Sequence, residues 1–455
     1  MSRVVVVGAG FAGLAAALRC AKQGHDVLLL ERGDTVGGAL GRVSRDGFTW
    51  DAGPDRTLLP AVVRDLFRKT GRPLERELEL VPLDVLREHR FADGSTLRLA
   101  AGRSGALRSV DALAPGLGRA WVDHVAGHIP TWEALRPLLE HPAPTGGPSA
   151  EAAAVLAGRT HLERALRRGL PDPRLRTLAA HPFVLDGHHP RDVPAWAGLV
   201  SYLEQTLGTW VVPGGLAALG ERLALRLDLR GVEVRTGTRV TDVRVERGPA
   251  GGPGGRVVGV RTDQGDADAD VVVVATDPRA LPGLADGLPG LRRTLPALPP
   301  RVVHLGLDGA DTLDAETVLH PRQPGRRGRE GDPLLVVRPG GSAPEGASAW
   351  TVLVRGALLE DLPTALARRG LDVRDRVRTT LDRSPAELVT AWHGSPLGTA
   401  WAGRRTRRTP VRAADAGGPE GLLVVGAHAA ALPGLPFAGL TAAVAAELVG
   451  RAERA

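Results

Sequence analysis

Three features near the start of the chain predict an α/β fold. Val4–Val7 is a short, wholly β-branched apolar run, the composition of a parallel strand buried on both faces. Gly8-Ala9-Gly10-Phe11-Ala12-Gly13 follows at once and opens a helical stretch, Leu14 to Gln23, which Gly24 stops. Val27 to Leu30 is a second apolar strand, closed by Glu31. Strand, glycine-rich turn, helix and strand form a βαβ unit, the Rossmann-like arrangement that holds a dinucleotide. Gly8 permits the tight turn, Gly10 keeps a side chain out of the pyrophosphate path, and Gly13 lets helix and strand pack closely. The helix N-terminus then faces the phosphates. Glu31 lies 18 residues beyond Gly13, close to the offset of about 20 at which a carboxylate binds a ribose hydroxyl.

Further along, Phe91 to Leu97 reads as a strand pair turning on Asp93-Gly94. Ser109 to about Leu170 is mostly helical in pattern, broken by the loop His141 to Pro148, and reads as a helical cap. Leu216 to Leu229 is a helix, and Val232 to Val234 and Val240 to Val245 are strands. Gly248 to Gly255 is a Gly/Pro hairpin turn from which Val257 to Thr262 returns. Asp270 to Ala275 is an apolar strand closed by Thr276-Asp277-Pro278. Arg301 to Leu307 and Trp350 to Val354 look like strands of a second sheet, and Gln323 to Asp332 like a charged, mobile loop. Leu422 to Val425 is an apolar strand leading through a Gly/Pro loop into the last helix.

Composition bounds the function. With 43% apolar and only 3% aromatic residues, the interior has to be built from Ala, Val and Leu. The single cysteine, Cys20, excludes an internal disulfide, a redox pair and a thiolate zinc cluster, and it falls on an inward-facing helix position; no metal is expected. The net charge of +7 comes almost wholly from arginines interleaved with acids, so it is not read as a nucleic-acid footprint. No export signal or uninterrupted spanning segment is read from the sequence, and a reducing, cytoplasmic setting is expected.

Beyond Glu31 and Arg32 come Gly37-Gly38-Ala39, Arg42 and Trp50-Asp51-Ala52-Gly53-Pro54. This pattern resembles the phytoene desaturase and flavin amine oxidase superfamily, which binds FAD. The resemblance implies that Gly37 and Gly38 run along the pyrophosphate and ribityl chain and that Arg42 supplies charge-assisted bonds to it. Three later segments are similar to the same family. Trp210-Val211-Val212-Pro213-Gly214-Gly215 matches its turn before a helix, and Gly231 to Val240 matches the strand pair whose final Val240 holds the adenine by its backbone. Gly421 to Gly426-Ala427 matches the strand passing under the flavin, continuing through Gly434-Leu435-Pro436 to a helix aimed at the flavin pyrimidine. Where phytoene-type desaturases carry Thr-His-Pro-Gly, the aligned stretch here is Ala429-Ala430-Ala431-Leu432, with only Pro433-Gly434-Leu435-Pro436 kept, and the family's Asn-Ala-Asp is altered to Ala275-Thr276-Asp277.

The resemblance implies an α/β architecture in which a Rossmann-like FAD-binding domain, residues 1–75, 206–289 and 415–455, is interleaved with a substrate domain of mixed sheet plus helical cap, residues 76–205 and 290–414. It implies an oxidoreductase that passes hydride from an extended apolar isoprenoid or polyene to FAD. An amine oxidase or protoporphyrinogen-type oxidase releasing hydrogen peroxide is the alternative, and a non-catalytic flavin-binding partner protein is another. With no second strand–glycine–helix unit, reoxidation is expected by oxygen or a quinone. Asp55, Arg56 and His393 are the candidates for side chains beside the substrate. His188-His189 reads as a surface turn. If the substrate is a lipid, Arg119, Arg136, Arg159, Arg164, Arg167 and Arg168 suit peripheral docking of the cap on the inner face of a membrane.

Overall fold

The computed structural model describes residues 1–140, 148–247, 255–287, 291, 294–322, 331–403, 406 and 418–452. The loop expected around 141–147, most of the 248–255 turn and the charged stretch 323–330 lie outside them. A five-stranded parallel sheet has the order Glu233–Arg235, Asp26–Leu30, Arg3–Val7, Val271–Val274, Leu422–Val424. Its strands therefore come from the start, the middle and the end of the chain. Val5 sits between Leu28 and Val272 in register.

The valines of Arg3–Val7 explain why this strand is central. Val4 and Val6 pack beneath the helices Phe11–Lys22, Ala217–Leu229 and Leu435–Val449, alongside Leu14, Leu18, Leu219, Leu223 and Ala445. Val5 and Val7 point the other way, onto Val243, Val257, Val260 and Ala267 of a three-stranded antiparallel sheet, Val240–Arg247, Gly255–Thr262 and Gly265–Asp268. At about 1.5–3 kcal/mol for each buried side chain, a polar residue anywhere in this run would be costly. Cys20 is fully buried in the same helix, and burial pushes its thiol up to about 12, which keeps it unreactive.

The helix Ala217–Leu229 starts where two distant motifs meet. Asp51 accepts hydrogen bonds from the Leu216 and Ala217 amides, both at 2.9 Å, and so caps a helix that lies more than 160 residues away in sequence. Gly215, at φ +105°, leaves room for that carboxylate: a Cβ there would stand 2.6 Å from Asp51 Oδ1.

A second, seven-stranded sheet runs Val377–Arg383, Arg301–Asp308, Ala347–Arg355, Leu334–Pro339, Thr317–Leu319, Val85–Arg90, Thr96–Ala100. Only the pairing of Thr317–Leu319 with Val85–Arg90 is parallel, so the sheet is mixed. The helical cap is longer than the sequence suggests, from Gly102–Asp111 to Leu199–Leu207. Beyond Leu170, Pro173 opens the further helix Pro173–Leu185, where Asp172 caps the Arg174 amide at 2.7 Å. His188 is not a surface residue: it is buried, and its Nδ1 lies 3.4 Å from the Trp401 amide, whereas His189 is exposed. No helix among the described residues is long and apolar enough to cross a membrane.

Candidate active site

A cavity of about 430 Å³ opens at the carboxyl ends of the parallel strands, where Val7, Leu30, Ala275 and Val425 form its floor, and continues to Val302, Arg338 and Leu353 of the second sheet. Crevices in this position are where open α/β sheets bind ligands.

One end is built of bare backbone. Gly8 turns at φ +94°, and a Cβ on Gly13 would stand 1.9 Å from the Gly8 carbonyl oxygen, so the helix can lie on the strand only without one. Gly10 has φ −70°, and nothing lies within 4 Å of where its Cβ would be: the space beside it is cavity. Gly37 bridges to Gly10, its amide donating to the Ala9 carbonyl at 2.8 Å. Gly38 approaches so closely that a Cβ would stand 3.2 Å from Gly10 Cα. Glu31 closes this end, its Oε2 accepting from the Ala9 amide and its Oε1 from the Gly33 amide, both at 2.7 Å. No side chain caps the first helix, so its N-terminal amides remain for an anion.

Gly8, Gly10, Phe11, Ala12, Glu31, Arg32, Gly37, Gly38, Ala39, Gly53, Pro54, Val240, Gly426, Ala427, Gly434 and Leu435 all line the cavity. Ala9, Gly13 and Pro436 do not line it: the first two support the turn, and Pro436 is buried in the first turn of the last helix.

Two side chains stand elsewhere than expected. Arg42 does not line the cavity; its Nε donates to Glu221 at 2.5 Å and its Nη1 to the Gly214 carbonyl at 3.0 Å, which ties its strand to the Ala217–Leu229 helix. His393 lines the cavity, but at the Glu31 end, within the influence of Arg32, Arg239, Asp277 and Glu31. It ends a helix in the left-handed conformation, φ 50°. Burial first, then Arg32 and Arg239, hold its pKa below the ordinary histidine value.

Asp55 and Arg56 stand at the opposite end, within a buried ionic cluster. Asp55 pairs with Arg56 at 2.8 Å and with Arg338 at 3.0 Å. Glu316, behind them, meets Arg338 at 2.6 Å, Arg87 at 3.3 Å and Arg56 at 3.4 Å, and Arg87 also pairs with Glu204. Burial opposes ionisation of Asp55 and Glu316, but the surrounding guanidinium groups outweigh it and hold both below the usual carboxylate range. Asp186, at the C-terminus of the Pro173–Leu185 helix, lines the same end. Between the two ends, Asp277 pairs with Arg279 at 2.8 Å and faces His428 at 3.8 Å. Sequence reasoning missed Arg338, Glu316 and Asp186. The one signal is an arginine closing an otherwise apolar strand, Leu334-Leu335-Val336-Val337-Arg338.

Comparison with known proteins bears on this geometry. The family described as flavin containing amine oxidoreductase matches residues 11–444. A 4,4'-diapolycopene oxygenase of Methylomonas is 28% identical over 67% of this chain and 63% of its own length. A hydroxyneurosporene desaturase of Cereibacter sphaeroides is 30% identical over 98% of this chain and 97% of its own. The matches to the first three relatives span only 53% to 63% of those proteins' lengths. Among solved structures, putrescine oxidase bound to putrescine shares the fold, with a TM-score of 0.63 at 16% identity and 99% coverage of both chains. The chain therefore belongs to the flavin containing amine oxidoreductase family, with carotenoid-modifying enzymes among its relatives.

Proposed function

We propose that the chain binds FAD in this cavity and dehydrogenates an extended apolar isoprenoid or polyene. The observation that carries this is the continuity of one cavity, from a glycine-floored cradle at Gly10, Gly37 and Gly38 to a chamber with apolar walls at Leu185, Val302, Leu353 and Trp392 and the charged side chains Asp55, Arg56, Asp186 and Arg338 at its end. In this reading the cradle takes the pyrophosphate, Glu31 the adenosine ribose, and the backbone at Val240 the adenine. The N-terminus of the Leu435–Val449 helix would then stabilise negative charge on the flavin. Bound FAD supplies a two-electron acceptor for hydride. The chain's own side chains orient the substrate and exclude water, which is the larger part of such catalysis.

An amine oxidase reading has less support. Trp392 is the only indole lining the cavity among the described residues, and Arg383 lies over it at 5.5 Å, so no paired rings are left to hold an ammonium group. The test is anaerobic mixing of the purified flavoprotein with polyenes, isoprenoids and amines while the oxidised flavin band is followed. Bleaching by an apolar chain supports the proposal, bleaching by amines alone replaces it, and bleaching by nothing points to a non-catalytic partner protein. Reoxidation by oxygen or by a quinone is then distinguished by adding each.

We also propose peripheral docking of the cap on anionic membranes, supported by exposed Arg159, Arg164 and Arg168. Arg119 and Arg167 are engaged in ion pairs with Asp123 and Glu163, which weakens their share. Co-sedimentation with anionic vesicles at low salt is expected, and none at either low or moderate salt would sink the idea.

A further inference from the structure

Four acidic side chains line the cavity, and three of them are partnered within the protein. Glu31 accepts from two amides, Asp55 holds two guanidinium groups and Asp277 holds Arg279. Asp186 differs: among the described residues no hydrogen bond or ion pair reaches its carboxylate. The two nearest cations are already committed. Arg338 is held by Glu316 and Asp55, and Arg355 donates to the carbonyls of Leu185 at 2.7 Å and Leu298 at 2.9 Å. Burial, only partly offset by Arg355 and Arg338, pushes the Asp186 carboxyl up to about 7. Its position adds to the cost, because it ends the Pro173–Leu185 helix, where the carbonyl dipoles disfavour a negative charge.

An unpaired carboxyl is tolerable while water fills the cavity. Once an apolar chain displaces that water, a carboxyl facing Leu185, Val302 and Leu353 is stranded, and a pure hydrocarbon offers it no partner. An ammonium group would compete with two arginines, and a carboxylate would meet a carboxylate. A hydroxyl suits both protonation states, donating to the carboxylate and accepting from the acid. We infer that Asp186 is a specificity-determining residue that receives a hydroxyl group borne by the long apolar substrate. The inference rests on the polyene reading given above.

The test uses the flavin-loaded protein with two probes: a linear polyene hydrocarbon, and the same chain carrying a terminal hydroxyl. Half-saturation is measured from flavin bleaching, and binding independently from the shift of the polyene absorption band. The wild type is expected to half-saturate with the hydroxylated chain at a concentration at least about 10-fold lower, the effect of one charge-assisted hydrogen bond. Asp186→Leu should abolish that preference and bind the hydrocarbon better than the wild type does. Asp186→Asn should keep part of the preference, and it serves if the leucine variant does not fold. Equal half-saturation by the two chains in the wild type, or a preference that survives in both variants, overturns the inference and leaves the polyene reading standing. Binding of neither chain overturns both.

Discussion

Two glycines three residues apart should fail in opposite ways when given a side chain. Gly13 packs a helix on a strand: a Cβ there would stand 1.9 Å from the Gly8 carbonyl oxygen, whereas ordinary contact is about 3.5 Å. The helix Phe11–Lys22 must therefore back off the sheet by more than 1 Å, opening the contact between Leu14, Leu18 and Val4. Overpacking of that kind costs about 1–3 kcal/mol, and a rigid backbone acceptor puts Gly13→Ala at about 3 kcal/mol or more. Gly10 has an ordinary φ of −70° and open space where its Cβ would go. Gly10→Val should therefore cost about 1 kcal/mol or less of stability, mostly through a poorer helix cap. Its side chain would instead stand in the pyrophosphate path and weaken FAD retention by at least about 100-fold, near 2.7 kcal/mol. Thermal melts of the apoproteins and the flavin-to-protein absorbance ratio of each purified variant separate the two effects. The reasoning is refuted if Gly10→Val keeps the wild-type flavin ratio, or if its melting point falls as far as that of Gly13→Ala.

Glu31→Ala should weaken FAD retention about 10- to 150-fold, through charge-assisted bonds worth roughly 1.5–3 kcal/mol, and equilibrium dialysis against FAD reads this directly. The apoprotein should also soften, because the Ala9 and Gly33 amides lose their acceptor. Glu316→Gln leaves the guanidinium groups of Arg338, Arg87 and Arg56 short of one buried negative charge; a loss of about 3–5 kcal/mol is expected in urea unfolding, and a loss below about 1 kcal/mol would contradict the buried cluster. Burial holds His304 and His320 neutral, with their pKa depressed from 6.5 to about 4. The unfolded chain binds these protons first, so stability is intact above about 6.5 and is lost as pH falls toward about 4, at most roughly 3 kcal/mol for each group. Acid unfolding should flatten in His304→Gln; an unchanged pH profile there would exclude this histidine as a cause.

Much of the glycine-floored end of the cavity was legible because covalent spacing dictates it. Val4–Val7, the glycine triplet and Glu31 occupy one short stretch, and a strand followed by a tight turn and a helix leaves little freedom in where the helix N-terminus and the acid fall. The apolar strands at 271–274 and 422–424 were legible for a related reason: a strand buried on both faces has to be continuously apolar. The cap runs past Leu170 because Asp172 caps a further helix that Pro173 opens.

The charged end of the cavity had no such local signature. Asp55, Asp186, Glu316 and Arg338 come from four separate segments, and whether a charge is paired depends on what packing places within about 4 Å of it. Arg42 makes the same point, since its glycine-rich neighbourhood suggests a cofactor contact while its guanidinium reaches Glu221, 179 residues away. His393 is likewise brought within the influence of Glu31 and Arg32 by packing between segments far apart in sequence. Backbone spacing along one βαβ unit therefore determined the glycine-floored end of the cavity from sequence alone. The pairing of charges, and with it the one cavity-lining carboxyl without a partner among the described residues, was decided only when the helical cap and the second sheet packed around the cavity.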